Sequence, residues 1–116
     1  MNWQNFDNGK SIGTKGSESG IIIEDIENIN GARVTIEKDG TIAPYSVTLG
    51  IYGLMFHTHF TGTIEKAQLF ATFAKQKIDQ IFDHHNIAGP QRDVSWNDQL
   101  NILLEELSEQ NENLPP

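Results

Sequence analysis

His57 and His59, separated by one residue, are the side chains whose type and spacing could most directly do chemistry in this chain. On a strand, residues i and i+2 point the same way, with Cβ atoms roughly 7 Å apart. Neutral imidazoles at that spacing can hold Zn²⁺, Ni²⁺ or Cu²⁺. Asp83, His84 and His85 are further donors. The helix expected to carry them lies on the apolar side of the sheet, away from His57 and His59, so the four histidines are not expected to converge. The plainer expectation is a polar strand face whose histidines are solvated or paired with threonines.

Three more residues are expected on that polar face. Arg33, Ser46 and His59 should lie in one row, and Thr48 with His57 in the next. A guanidinium beside a hydroxyl and an imidazole can hold a carboxylate or phosphate through charge-assisted hydrogen bonds. The competing expectation is that Arg33 pairs with Glu24 or another strand carboxylate.

Support for catalysis is slight. The chain has no Gly-x-Ser-x-Gly elbow, no glycine-rich phosphate loop and no His-Glu-x-x-His. Ser46 and His59 could be drawn as a pair across strands, but no element is evident to activate the hydroxyl or supply an oxyanion hole. The balance is against an enzyme, and no cofactor is implied.

Composition narrows the classes further. The chain has 116 residues, enough for one domain with its own core. It lacks cysteine, which excludes a disulfide framework, a thiolate metal site and a cysteine nucleophile. Its formal charge is −8, which argues against nucleic acid and anionic membranes as partners, since both need clustered Lys and Arg. Acidity is concentrated at 21–40 and 91–116. Glu105, Glu106, Glu109 and Glu112 are the candidate contacts to a basic protein partner. The reading is therefore a small, acidic, soluble, non-catalytic module that binds protein, of the inhibitor or immunity type. The alternative is a small-molecule or metal-binding protein using Arg33, Ser46, Thr48, His57 and His59. The polar face or an edge strand could equally support a symmetric homodimer. MNWQNFDNGK lacks a basic region followed by an apolar run, so a cytoplasmic location is expected.

The elements that must position these residues follow from periodicity. Residues 1–20 read as a loosely ordered lead-in with Trp3, Phe6 and Ile12 as tethers, 21–110 as a single domain and 111–116 as a tail. Thr41 to Ile64 contains no Asp, Glu, Lys or Arg. Pro44, Gly50, Gly53, the threonines and the histidines argue that it is not a membrane span. Instead, Asn30-Gly31 and Asp39-Gly40 mark hairpins, because both pairs tolerate positive φ. A three-residue loop with Gly31 left-handed sets Ile26 opposite Val34. A two-residue Asp39-Gly40 turn sets Ile36 opposite Ala43 and Val34 opposite Tyr45. A reversal at Tyr52-Gly53 sets Leu49 opposite Phe56 and Val47 opposite Thr58.

The expected fold is α+β: a four-stranded antiparallel meander over about 21–61, followed by helices over about 64–85 and 95–110 packed on one sheet face. The first helix has the stripe Ile64, Ala67, Phe70, Ala71, Ala74, Ile78, Ile81 and Phe82, with Thr63 as its cap. The second opens on a capping box at Ser95 and has the stripe Trp96, Leu100, Leu103, Leu104 and Leu107.

Overall fold

A computed structural model describes residues 2–52 and 55–85. Among the described residues it has five strands in one antiparallel sheet and one α-helix, so the α+β class holds while the sheet has one strand more than the expected four. The strands are β1 (Trp3–Asn5), β2 (Ile21–Asn28), β3 (Ala32–Lys38), β4 (Tyr45–Ile51) and β5 (Met55–Thr61), and each pairs with its neighbours in chain order. Helix α1 (Ile64–His85) follows. The second expected helix, with Glu105, Glu106, Glu109 and Glu112, lies outside the described residues. None of the described helices is long and apolar enough to cross a membrane.

The core forms where one sheet face meets one helix stripe. Ala32, Val34, Ile36, Val47, Leu49 and Ile51 supply the sheet side, and Ala67, Phe70, Ala71, Ala74, Ile78 and Phe82 the helix side. The 3.6-residue spacing aligns these helix positions along one stripe, and the period of two aligns the strand positions. Helix α1 starts where its sequence signals. Thr63 Oγ1 accepts from the Lys66 N–H at 3.2 Å and so satisfies one of the first-turn donors.

The first hairpin follows the expected register. Ile26 pairs with Val34, Glu24 with Ile36, and Gly31 takes φ +110°. The second does not. Ile36 pairs with Val47 and Val34 with Leu49, so strand pairing is displaced four residues and 39–44 form a six-residue connection. Asp39 N–H donates to the Pro44 carbonyl at 2.7 Å, and Thr41 N–H to the Glu18 carbonyl at 3.3 Å. The wider loop therefore answers to a contact from the N-terminal segment, which turn chemistry at Asp39-Gly40 alone does not include.

That segment is built into the fold. β1 pairs with β2, and the Trp3 indole donates to Asp79 of α1 at 2.9 Å. Phe6–Gly9 makes a 3₁₀ turn with Asp7 and Asn8 at positive φ. Residues 13–16 then run back along 20–22 as a short arm: Gly13 N–H donates to the Ile22 carbonyl, Ile22 N–H to the Thr14 carbonyl and Gly16 N–H to the Gly20 carbonyl. Ile12, the third expected tether, is exposed.

Candidate functional site

The sheet face opposite α1 carries three rows of side chains, read across β2, β3, β4 and β5. They are Ile22, Glu37, Ser46 and Phe60; Asp25, Thr35, Thr48 and Thr58; and Glu27, Arg33, Gly50 and Phe56. The N-terminal arm lies over this face and is held by two buried carboxylates.

Asp25 is the first. Its Oδ1 accepts from Arg33 Nε at 2.8 Å and from Thr35 Oγ1 at 2.9 Å, and its Oδ2 from Arg33 Nη2 at 2.6 Å and Ser11 Oγ at 2.8 Å. Burial by itself would raise this carboxyl's pKa. The hydrogen bonds from Arg33, Ser11 and Thr35, with the guanidinium charge, outweigh burial and hold it below the ordinary carboxylate value. The Phe6 ring covers the guanidinium at 3.6 Å. Arg33 thus has the strand-carboxylate partner that the sequence offered as its plainer role.

Glu37, also buried, is the second. Its carboxylate accepts backbone N–H groups of Glu18 at 3.1 and 3.3 Å and of Gly20 at 3.1 Å. The Gly16–Gly20 stretch therefore supplies backbone donors to a buried carboxyl group that would otherwise be left unsatisfied.

Between arm and sheet a cavity of about 400 Å³ remains, lined by Thr14, Lys15, Gly16, Ser17, Arg33, Thr35, Thr48, Gly50, Phe56 and neighbours. Of the residues singled out by sequence, Arg33 and Thr48 line it. Thr48 Oγ1 shares a hydrogen bond with Thr58 Oγ1 at 3.2 Å. Ser46 shares the sheet face but is buried, with its hydroxyl unpartnered among the described residues.

His57 and His59 are on the other side, and the expected rows containing them are corrected. Leu49 pairs with His57 and Val47 with His59, one residue away from the expected register. A shift of one residue exchanges the two faces of a strand. Both imidazoles consequently meet α1: His59 stacks on Phe70 with centroids 4.1 Å apart, and His57 is tilted to the same ring at 6.5 Å. Burial lowers the pKa of both, and the neighbouring His57 adds to the effect at His59. His59 Nε2 is buried without a hydrogen-bond partner among the described residues. No group of three His, Asp or Glu able to hold a metal occurs among those residues. The side chains of His84 and His85 lie outside them.

The same register gives β5 an alternate row, Phe56, Thr58 and Phe60, on the cavity side. β5 closes the sheet, and among the described residues its outer edge pairs with nothing. Phe56 is 79% exposed there. Periodicity had drawn attention to the histidines of this strand. The expected register put Phe56 opposite Leu49 on the core face, and no signal in the sequence marked the arm residue Lys15. No family model, no curated protein and no solved structure matches the chain.

Proposed function

We propose that the protein is a non-catalytic protein-binding module, of the inhibitor or immunity type, that engages a partner strand along the outer edge of β5. One observation carries the reading. Among the described residues β5 is a seven-residue sheet edge with no charged residue and no proline, paired to β4 without a bulge, and it holds Phe56 in solvent. Sheet edges are ordinarily blunted by lysine, proline, bulges or short length, because a row of unpaired N–H and C=O groups invites another strand. An edge without those devices suits strand addition, in which backbone hydrogen bonds give affinity and side chains such as Phe56 give specificity. The acidic balance of the chain favours a basic partner at a surface other than β5, with Glu105, Glu106, Glu109 and Glu112, outside the described residues, as the candidate contacts. Capture from source lysate tests the reading with wild-type and Phe56→Lys baits. A stoichiometric partner, another protein or a second copy, should be retained by wild type and lost by the variant. Identical retention by both baits overturns it.

The cavity favours a second reading, a small anionic ligand. Asp25 and Glu37 already have their hydrogen-bond donors, whereas Lys15 has no ion pair among the described residues and lines the same cavity as Arg33. Small carboxylates and phosphates should raise the melting temperature of wild type and not of Lys15→Ala. An equal response of both proteins excludes this cavity as the site.

A further inference from the structure

Residues 56–60 read Phe-His-Thr-His-Phe, a palindrome centred on Thr58, and they lie in β5, whose outer edge pairs with nothing among the described residues. Resting on the reading of β5 as a docking edge, we propose that its occupant is a second copy of this chain, paired antiparallel about a two-fold axis through Thr58.

In a two-fold interface each contact occurs twice, with i against j and j against i. Antiparallel pairing about Thr58 sets Phe56 opposite Phe60 of the partner subunit, His57 opposite His59 of the partner subunit, and Thr58 opposite Thr58 of the partner subunit. The palindrome therefore makes each cross-strand pair like with like. On the cavity side two Phe–Phe pairs flank a Thr–Thr pair, combinations that favour antiparallel pairing. The exposed Phe56 gains a ring to cover it. On the α1 side imidazole meets imidazole.

Charge supports the same occupant. Two chains of charge −8 repel each other over most of their surfaces, but Thr41–Ile64, which contains β5, carries no Asp, Glu, Lys or Arg. The edge lets two acidic copies approach without setting like charges opposite each other. Joining one strand per copy buries less surface than an obligate dimer does, so dimerisation should depend on concentration.

Sedimentation of the full chain and a cysteine cross-link test the pairing together. Wild-type mass should rise with concentration from 13.0 kDa towards twice that value, while Phe56→Lys stays at 13.0 kDa. The chain has no cysteine, so Thr58→Cys introduces its single thiol. Directly opposed residues of antiparallel strands have Cα atoms about 4.5 or 5.5 Å apart, within the span of a disulfide. Thr58→Cys should oxidise to a covalent dimer, and Phe56→Cys, whose counterpart is four residues away along the partner strand, should not. A wild-type mass of 13.0 kDa at all concentrations overturns the proposal, as does equally fast cross-linking of both variants. If the chain stays monomeric but a different protein is captured in a Phe56-dependent way, this inference falls and the docking role of β5 stands. If wild type is monomeric and capture is insensitive to Phe56→Lys, both fall.

Discussion

His59 shows how much a single ring can be asked to tolerate. It stacks flat on Phe70, and its Nε2 is buried and unpartnered among the described residues. A buried polar atom without a partner forfeits its hydration, and an apolar group of the same shape removes that loss. His59→Phe should therefore be neutral or stabilising at pH 8 in a denaturant titration; a large loss of stability would show that Nε2 has an essential partner. The sign of the pH dependence follows from the same burial. Both imidazoles have folded-state pKa values below the ordinary 6.5, so below that pH the unfolded chain binds more protons than the folded one. Their contribution is complete above pH 6.5 and is lost as pH falls from there through the folded values. The urea midpoint should decline across that window in wild type and less in His59→Phe. Asp25 acts lower on the scale. Its pKa lies below the ordinary 3.8, so its contribution persists until pH falls below that value. Among the described residues, Arg33→Met leaves Asp25 with Ser11 and Thr35 as its side-chain donors. Breaking a buried pair costs roughly 3–5 kcal/mol. One third of the Arg33 side chain is exposed to solvent, which lowers the expected cost to about 2–3 kcal/mol.

At the scale of elements, the two misplaced registers had different consequences. The β3–β4 pairing slipped by four residues, an even number, so Tyr45, Val47 and Leu49 stayed on the core face as their sequence pattern indicated. The β4–β5 pairing slipped by one, so His57 and His59 exchanged faces with Phe56, Thr58 and Phe60. Side-chain alternation was thus legible for strands whose apolar residues recur every second position. It was ambiguous for Met55–Thr61, where aromatic and imidazole rings alternate and either face could be buried. The stripe and cap of α1 were legible because Thr63 and a 3.6-residue spacing point to the same answer. The roles of the N-terminal arm and the Asp25–Arg33 pair were not, since they depend on contacts between distant segments such as Ser11 with Asp25 and Gly20 with Glu37. The arm also makes a prediction at this scale. A Cβ on Gly20 would sit 2.5 Å from the Lys38 carbonyl oxygen, which is backbone and cannot swing aside. Gly20→Ala should cost about 1–3 kcal/mol, the range for inserting a methyl group into a packed site. A calorimetric scan checks it, and an unchanged transition would mean that the arm is not docked in solution.

For the whole molecule the deciding quantity is the sign of the salt response. Two chains of charge −8 make a pair of charge −16 (−8 plus −8), so their mutual repulsion grows as they meet even though β5 itself is neutral. Salt screens such repulsion over a length of about 10 Å at 0.1 M and about 3 Å at 1 M. Dimerisation through β5 should consequently tighten as salt is added. A complex of the acidic surface with a basic partner has the opposite electrostatics and should loosen over the same range, chiefly through slower association. Sedimentation in low and high salt separates the two forces in one sample. A wild-type dimer that weakens with salt would place its main contacts on charged groups outside β5, and would remove the strand's neutrality as the reason two acidic copies can join.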